Sequence, residues 1–423
     1  MKNITSIIEE KLCTSCGACA VVCPNNAIKM EMDEKNLIYY PKIDASKCNN
    51  CGRCLSVCPG KEMFGKNTTA NILKSWIVYS KDDDLRRTSQ SGGAISQLLA
   101  YAIENGIVDG GLVTRTKKDD PFSAETFIAR TKEEVLEAAR SKYWSIPACL
   151  GGKNVAPEDK IIFVGTPCQT TGFKNICDLN KSLKDSVFLY FGLMCGGALN
   201  LAFPDMIYDI VGLKQEEREK VSDFDYRFKD SEHHWPGYLR LKYGDKSVIL
   251  PNRVRIALKK FFYNERCQIC VDKLNQKADL VFGDSYIEEK LKNEQKKGLS
   301  LVFARTQRGL DFFEKHKASA GLETEEIDAK FVFSSSKLKR KEREAMRYLP
   351  IHEKIFSPGL SKRWGVKNRK KPYLVFLLDY IFIDLFKKKT VRKIFSKFSL
   401  WRALHKLFSV KNKIFSKIYE DKN

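Results

Sequence analysis

Two runs of cysteines with the same spacing lie near the start of the chain, and they limit what it can fold into. Each run reads Cys-x2-Cys-x2-Cys-x3-Cys-Pro. The eight thiols belong to Cys13, Cys16, Cys19, Cys23, Cys48, Cys51, Cys54 and Cys58. A zinc site needs only four ligands and would leave half of each run unused. Disulfides would be unusual here, because residues 1–4 lack the charged-then-apolar pattern of a secretory signal.

This spacing is typical of bacterial two-cluster ferredoxins, in which the fourth cysteine of each run ligates the cluster of the other run. It predicts one [4Fe-4S] cluster on Cys13, Cys16, Cys19 and Cys58, and a second on Cys48, Cys51, Cys54 and Cys23. Tight turns at Gly17 and Gly52 would let three thiolates of each run converge. Residues 1–65 are therefore predicted to form an electron-carrying ferredoxin-type module.

The charge of the chain is concentrated at one end. The formal net charge is +22. Residues 337–423 hold 25 Lys and Arg against 7 Asp and Glu, a net of +18, which leaves only +4 for the other residues. We therefore predict three parts: the module at 1–65, a nearly neutral core at 74–335 and a basic helical tail at 336–423.

The core shows alternating strand and helix patterns, which favour an α/β fold beside the ferredoxin-type module. Strands are predicted at 76–79, 112–114, 161–164 and 187–192, and a hairpin at 239–250 around Gly244. Helices are predicted from Ser91-Gly92-Gly93 to Asn105 and over 132–139. The overall class is α+β with an α/β core.

Six further cysteines lie in the core. Cys267-Gln-Ile-Cys270 is half of a metal or cluster site, and Cys168 and Cys195 each follow a predicted strand. Loops after neighbouring strands meet at one edge of a sheet, so these four thiols are candidates for a third [4Fe-4S] cluster. A zinc site, or four separate buried thiols, would explain them as well. Cys149 and Cys177 are interpreted as small buried core residues.

Several short segments could supply what a flavin needs. Ser91-Gly92-Gly93 before a helix is a candidate phosphate cradle, although it is also ordinary turn chemistry. The other segments are Ser141-Lys142-Tyr143, Arg227-x-Lys229 with Trp235, and Gly283-Asp284-Ser285-Tyr286. They offer cations and aromatic rings, but solvated charges and a core tryptophan would explain them equally.

Taken together and in this order, these segments resemble the coenzyme F420 hydrogenase/dehydrogenase beta-subunit family over about residues 74–310, along with Gly165-Thr-Pro-Cys-Gln169 and Leu193-Met-Cys-Gly196. Members of this family bind FAD and [4Fe-4S] clusters and pass electrons between them and a hydride-accepting partner. The resemblance implies a third cluster on Cys168, Cys195, Cys267 and Cys270. It also implies FAD near Ser91, Gly92, Gly93, Lys142, Thr166, Pro167 and Gln169, and hence a flavin-binding core.

The resemblance implies an iron–sulfur flavin oxidoreductase, because a flavin joins one-electron clusters to two-electron chemistry. The substrate would be a small-molecule acceptor, either deazaflavin-like or related to envelope polysaccharide, and the electron donor a redox partner protein or ferredoxin. An electron-transfer subunit without its own substrate is the alternative. Lys142 and Arg227 are the candidates for stabilising reduced flavin or an anionic substrate; His233 and His234 are weaker candidates for a proton donor.

The tail suggests a surface partner. Residues 373–386 are apolar but too short to span a bilayer. Apolar residues recur at near-helical spacing among the lysines of residues 391–419, and such a helix suits an anionic membrane surface. A helix packed on the core is an equal alternative. Nucleic acid is disfavoured, because we find no zinc-finger or helix-turn-helix pattern. We expect a cytoplasmic protein that is peripheral on the inner membrane face if the tail binds lipid.

Overall fold

The computed structural model describes residues 3–62, 71–286, 292–366 and 374–396, and its largest element is a mixed sheet of eight strands. The strands in chain order are β1 (Ile28–Asp33), β2 (Ile38–Ile43), β3 (Lys74–Ser80), β4 (Gly110–Lys117), β5 (Asp120–Ala129), β6 (Ile161–Gly165), β7 (Val187–Leu193), β8 (Val221–Phe228), β9 (Tyr238–Tyr243), β10 (Lys246–Leu250), β11 (Leu280–Asp284), β12 (Ser300–Ala304) and β13 (Leu322–Ile327).

Nineteen α-helices lie in the described residues, many of them a single turn. They are α1 (Thr5–Glu9), α2 (Ala18–Val21), α3 (Arg53–Ser56), α4 (Asp83–Thr88), α5 (Ala94–Glu104), α6 (Lys132–Glu137), α7 (Pro167–Leu179), α8 (Lys181–Ser186), α9 (Ala202–Val211), α10 (Gln215–Arg218), α11 (Asn252–Leu258), α12 (Glu265–Gln268), α13 (Lys292–Lys297), α14 (Gln307–His316), α15 (Ala329–Ser335), α16 (Leu338–Ile355), α17 (Leu360–Arg363), α18 (Leu374–Lys387) and α19 (Lys389–Phe395). Three 3-10 turns lie at Pro59–Lys61, Ala148–Asn154 and Lys259–Phe262.

The large sheet has the order β13-β3-β12-β11-β7-β6-β4-β5, and its four central strands run parallel. Parallel strands are covered on both faces and read as continuous apolar runs, as Ile161-Ile162-Phe163 does. The remaining strands of the sheet pair antiparallel at its two sides. The predicted α/β core is confirmed in this coarse sense.

Alternate residues of each strand belong to different cores. Trp76 and Val78 pack in one hydrophobic cluster with α5 and α14, whereas Ile77 between them packs in another with Val332. The period of two along a strand sends neighbouring side chains to opposite faces, so helices cover both sides of the sheet.

The hairpin predicted around Gly244 is present as β9 and β10, and it extends to a three-stranded sheet with β8. Gly244 has φ +49°, a backbone conformation that favours glycine. This sheet carries Arg227 at the end of β8.

The ferredoxin-type module is a hairpin, β1 and β2, with one short helix after each cysteine turn. Gly17 and Gly52 cap α2 and α3 with φ of +84° and +78°. The two tight turns predicted from the sequence are therefore present, and each turns its run of thiols inward.

The described part of the tail packs on the rest of the protein. Tyr348 and Trp364 share a hydrophobic cluster with Ile4 and Ile7 of the module. Phe386 of α18 stacks on Phe261 with ring centroids 5.0 Å apart. Over 338–366 and 374–396 the tail thus packs on the rest of the protein. Residues 397–423, which hold most of the amphipathic helix predicted over 391–419, lie outside the described part, so both interpretations of that helix remain predictions.

Among the described residues, no helix is both long enough and apolar enough to cross a membrane.

The buried contact between tail and module gives a pH-dependent stability. Nε2 of His352, on α16, donates to the carbonyl oxygen of Glu10 at 2.9 Å, and the imidazole is fully buried. The pKa of His352 is lowered to about 4, mainly by burial and also by the nearby charge of Arg266. The hydrogen bond with Glu10 and the carboxylates of Glu10 and Glu265 oppose this shift.

An unfolded histidine takes up its proton near pH 6.5, whereas His352 in the fold does so near 4. The free energy of unfolding should therefore fall as pH drops below about 6.5, by up to about 1.4 kcal/mol per pH unit from this residue. His352→Gln keeps a donor and should flatten the slope in anaerobic unfolding between pH 7.5 and 5.5. His234→Gln, between β8 and β9, should keep it; equal slopes in both variants would contradict the assignment.

Candidate metal and cofactor sites

The second cysteine run and one cysteine of the first run line a single cavity. Cys48, Cys51, Cys54 and Cys23 surround a space of about 350 Å³. Cys51 is exposed, and Cys23 and Cys48 are half-buried. The structure thus brings together the four thiols predicted for one cluster, at the protein surface.

The other four thiols of the module line a separate cavity of about 270 Å³. They are Cys13, Cys16, Cys19 and Cys58, and all four are buried. Backbone amides point at two of the sulfurs: the N–H of Gly60 lies 3.3 Å from Sγ of Cys58, and that of Ser15 lies 3.4 Å from Sγ of Cys13. Cys58 thus lines this cavity with the first run and Cys23 lines the other with the second run, and the ligation of two clusters in this pairing remains a prediction.

Burial disfavours the free thiolate form of three thiols in this cavity. Burial raises the pKa of Cys58 to about 12 and also raises that of Cys13 and Cys19. Without a metal these thiols would stay protonated; iron makes thiolates of its ligands.

Within the described residues, no three His, Cys, Asp or Glu side chains are close enough to share one metal ion. In a cube each thiolate binds a different iron, so the four sulfurs of a cluster stand farther apart than the ligands of one zinc.

The four core cysteines form a third group at the carboxyl edge of the central strands. Cys168 follows β6, Cys195 follows β7, and Cys267 and Cys270 flank the end of α12. Burial, together with the charges of Cys267 and Cys270, raises the pKa of Cys195 to about 12, so these thiols lie within electrostatic range of one another. Burial raises the pKa of Cys168 too, again with added effects from Cys195 and Cys267.

Three hydrogen bonds stabilise the loops of the third group. The amide of Ala198 donates to Sγ of Cys267 at 3.4 Å. The ammonium of Lys341, on α16, donates to the carbonyl oxygens of Cys267 at 2.7 Å and of Gly196 at 3.2 Å. Sequence reasoning missed Lys341, because it lies within the lysine-rich tail and nothing distinguishes it from its neighbours there.

The segments proposed for a flavin converge on one buried ion pair. The guanidinium of Arg227 binds the carboxylate of Asp284 through two hydrogen bonds of 2.7 and 3.1 Å. The Ser91 hydroxyl lies 3.0 Å from the same carboxylate, and the Trp235 indole N–H lies 3.4 Å from it. The hydroxyl of Tyr143 lies 3.3 Å from Arg227. Four segments that are far apart in sequence therefore meet at one place.

The glycine turn before α5 is fixed by close packing. A Cβ at Gly92 would lie 2.6 Å from the carbonyl oxygen of Val78, so the chain can pass there only as glycine. Gly93 has φ +78°, and no side chain caps α5. The first amides of α5 therefore have no side-chain cap, although Gly92, Gly93 and Ala94 are buried.

Lys229 stabilises this turn through hydrogen bonds from its ammonium group. Its ammonium donates to the carbonyl oxygens of Arg86 at 3.1 Å, Ser91 at 2.9 Å and Lys297 at 2.9 Å. Burial, together with the positive charge of Arg227, lowers the pKa of Lys229 to about 7. Three carbonyl oxygens match the three N–H donors of the charged form.

The remaining predicted site residues have partners inside the protein. The ammonium of Lys142 donates to the carbonyl oxygens of Ala138 and Ala139 at 2.7 and 2.9 Å, at the end of α6, and burial lowers its pKa to about 7. Thr166 and Gln169 bond each other at the start of α7, where Pro167 is the first helical residue. Their roles toward a flavin, like the catalytic roles of Lys142 and Arg227, remain predictions.

The two candidate proton donors, His233 and His234, lie in the loop between β8 and β9. Nδ1 of His233 lies 2.8 Å from the carboxylate of Asp230, and its ring packs against Tyr238. The carbonyl oxygens of both histidines accept backbone hydrogen bonds that close the turn, from Asp230 and Gly237. These contacts stabilise the loop between β8 and β9.

Comparison with known proteins identifies the family. Residues 76–149 match the N-terminal model of the coenzyme F420 hydrogenase/dehydrogenase beta subunit, and residues 158–330 match its C-terminal model. Residues 12–61 match a 4Fe-4S dicluster domain. The chain therefore belongs to the coenzyme F420 hydrogenase/dehydrogenase beta-subunit family, as the sequence predicted, and carries an iron–sulfur domain at its N-terminal end.

Individual relatives are distant. An uncharacterised protein of Methanocaldococcus jannaschii is 28% identical over 81% of this chain and 98% of its own length. The coenzyme F420 hydrogenase subunit beta of Methanococcus voltae is 26% identical over 58% of this chain and 82% of its own length. A chain of the F420-reducing [NiFe] hydrogenase complex of Methanosarcina barkeri matches the fold with a TM-score of 0.52 at 20% identity, over 68% of this chain and 95% of that one.

The Arg227–Asp284 pair should dominate the stability of this region. Their side chains are only 8% and 21% exposed. Removing one charge of a buried pair leaves the other uncompensated, which costs about 3–5 kcal/mol. Asp284→Asn should therefore lower the anaerobic free energy of unfolding in urea by about 3 kcal/mol. The control is Glu217→Gln, which breaks the exposed pair with Lys246 and should cost less than about 1 kcal/mol. Equal losses would contradict a dominant role.

Proposed function

We propose that this protein is an iron–sulfur flavin oxidoreductase, which carries electrons between ferredoxin-type clusters and FAD and exchanges them with a deazaflavin-like or other small acceptor. The observation that carries this proposal is the sorting of twelve cysteines into three groups of four, with the third group on the same edge of the sheet as the Arg227–Asp284 pair. Clusters carry one electron each, and a flavin joins them to two-electron chemistry.

The residues fit FAD in three respects. The first turn of α5 offers uncapped amides to a diphosphate. Arg227 and Lys229 supply buried positive charge beside that turn. Trp235 and Tyr286 pack edge to face with centroids 4.9 Å apart, and Tyr286 is half-exposed, so an aromatic surface faces outward next to Asp284. In this proposal Ser91, Gly92 and Gly93 bind the diphosphate, and Arg227 with Lys142 favours an anionic ring or substrate.

Exposure indicates which end meets a protein partner. The group of Cys23, Cys48, Cys51 and Cys54 opens to the surface, and the charged residues that line its cavity, Lys47 and Arg53, are basic. The thiols of Cys13, Cys16, Cys19 and Cys58 are buried, and those of the third group are half-buried. An external electron carrier, such as a ferredoxin, would therefore dock at the surface group, and the small acceptor would bind near Asp284.

A second candidate function is an electron-transfer subunit of a larger complex. The relative from Methanococcus voltae is named as a subunit, and the matching structure is part of a hydrogenase complex. Turnover distinguishes the two: an enzyme with its own substrate should reduce a deazaflavin as the isolated chain with reduced ferredoxin, whereas a subunit should need its partners.

Cofactor content tests the proposal directly. The anaerobically purified chain should contain about twelve irons and twelve sulfides, since three cubes hold four irons each, together with one FAD. Cys168→Ser should lose about four irons and keep the rest. Cys177→Ser, a buried thiol on the same helix, should lose none. About eight irons without flavin in the wild-type chain would contradict both the third cluster and the flavin.

We also propose that the C-terminal helices contact an anionic membrane surface. Leu377, Leu378 and Ile381 form an apolar strip on α18 with exposures of 37, 41 and 46%. Lys388, Lys389 and Lys393 follow it directly and are exposed. An apolar strip beside lysines is typical of helices that lie in the interface of anionic lipid.

Co-sedimentation with vesicles tests the contact. The protein should bind vesicles in which about 30% of the lipid is phosphatidylglycerol, because this fraction gives an anionic surface. Salt should release the protein from these vesicles. Replacing Leu377, Leu378 and Ile381 by Ser should weaken binding about tenfold or more, since three buried apolar side chains are lost. Ile256→Ser, an equally exposed isoleucine on α11, should have no effect. Equal binding to neutral vesicles would contradict the proposal.

A further inference from the structure

Lys341 is a residue of the basic tail to which the proposed function gives no role. It lies in the first turn of α16 and is half-buried. Its ammonium donates to the carbonyl oxygens of Cys267 at 2.7 Å and of Gly196 at 3.2 Å. Cys267 belongs to the third group, and Gly196 directly follows Cys195 of the same group. One ammonium group therefore bridges two of the loops that carry the thiols of the third group.

The two bridged loops also contact each other directly. The amide of Ala198 donates to Sγ of Cys267 at 3.4 Å, and a Cβ placed at Gly197 would lie 3.4 Å from Cβ of Cys267. The backbone N–H of Cys195 donates to the carbonyl oxygen of Lys273 at 3.0 Å. The segment after β7 and the segment around α12 thus form one unit, and the ammonium of Lys341 lies against the backbone of both.

The start of α16 is fixed to this unit by further contacts. The ammonium of Lys273 donates to the carbonyl oxygen of Ser336, which lies just before α16. Leu338, the first residue of α16, packs in a buried hydrophobic cluster with Leu274. The tail thus gives one ammonium group to the core, and the core gives one to the tail. The position of Lys341 therefore follows from the packing of its helix and does not depend on its own hydrogen bonds alone.

The positive charge of Lys341 is not neutralised by another side chain. Both of its acceptors are neutral carbonyl oxygens, and in the part of the chain that the structure describes no carboxylate pairs with it. Glu344, one turn further along α16, pairs instead with Lys260 and Arg340 at 3.1 and 3.0 Å. Only four covalent bonds join the carbonyl oxygen of Cys267 to its Sγ, so the ammonium lies within about 8 Å of that sulfur. Partial burial limits the screening of this charge by salt.

We propose that Lys341 is a positioning residue that raises the reduction potential of the centre on Cys168, Cys195, Cys267 and Cys270. Its ammonium fixes the loops of Cys195 and Cys267, and its charge stabilises the reduced centre. The inference rests on the proposed function, because it requires a cluster at the third group. In the transfer concerned, one electron leaves a cluster of the module, which is oxidised, and reduces the third centre; the ammonium keeps its protons throughout.

The physical reason is charge. Reduction adds one negative charge to a centre whose thiolate ligands are already negative, and the potential of such a centre depends on the charges and hydrogen bonds around it. A fixed cation nearby therefore stabilises the reduced form more than the oxidised form. Without the cation, the ratio of reduced to oxidised centre at a fixed potential should fall. A tenfold fall corresponds to about 59 mV for one electron.

Redox titration of the full chain, followed by electron paramagnetic resonance, tests this. The signal of the third centre is the one that Cys168→Ser removes. Lys341→Met keeps an unbranched side chain without the charge; it should keep its iron and shift the midpoint of that signal downward, with a ratio of reduced to oxidised centre about three- to tenfold lower at a fixed potential. Lys341→Arg retains the charge and the donors and should stay near the wild-type midpoint. Lys339→Met removes an exposed lysine of the same helix and should leave the midpoint unchanged.

The outcomes separate the inference from the proposed function. An unchanged midpoint in Lys341→Met with full iron would overturn the inference and leave the proposed function standing. Equal downward shifts in Lys341→Met and Lys341→Arg, or in Lys339→Met, would overturn it as well, because the charge at this position would not be the cause. Loss of about four irons in Lys341→Met would make Lys341 a purely structural residue, against the inference. A wild-type chain with only about eight irons would instead refute the third cluster, and with it both proposals.

Discussion

The parallel strands at the centre of the sheet determine where the chemistry of this protein can lie. β6, β7 and β11 run in one direction, so the segments that leave their carboxyl ends start from one edge of the sheet. Cys168 and Cys195 come from two of these segments, and Asp284 ends the third strand. A thiol group and a buried carboxylate become neighbours through the topology, although more than a hundred residues of sequence separate Cys168 from Asp284.

Buried charge is the second constraint, and it follows from the first. Arg227, Lys229 and Asp284 lie where water is largely excluded, and two of the carbonyl oxygens that Lys229 binds belong to the segment that leads into the glycine turn. Apolar residues of similar size would often hold such a region as well or better, because desolvated charges are costly. Their presence beside uncapped helix amides therefore favours a binding role for an anionic cofactor over a purely structural one.

Different parts of this arrangement were accessible from the sequence to different degrees. The two cysteine runs fix their own geometry, since ligand spacing within a tight turn is local, and the exchange of Cys23 and Cys58 follows from that spacing. The strands of the sheet were found because fully buried parallel strands are continuous apolar runs. The flavin segments were each too short to weigh alone, and only the sheet brings Ser91, Arg227 and Asp284 together.

Other features had no local pattern to find. Lys341 binds the third cysteine group from a helix that looks like one more basic stretch, and His352 ties that helix to the module through a single imidazole. Cys149 is one buried cysteine in an apolar segment, and the residues that it contacts, Cys16 and Gly172, are distant from it in the chain. Contacts between domains depend on the relative placement of whole elements, which periodicity and propensity do not encode.

The three cysteine groups differ in burial, and this difference determines which of them a protein partner can reach. Cys51 is exposed, the four thiols of the buried group of the module are covered, and the four thiols of the third group are half-buried. A protein partner can therefore reach Cys51 directly, whereas the thiols of Cys13, Cys16, Cys19 and Cys58 are covered by the protein. The contact between module and core depends on the same helix that carries Cys168, because a Cβ at Gly172 of α7 would lie 3.2 Å from Sγ of Cys16 and 3.2 Å from Cβ of Ala18. A larger residue at this position would require its neighbours in the module to shift, so the packing of α7 on the module depends on a glycine here.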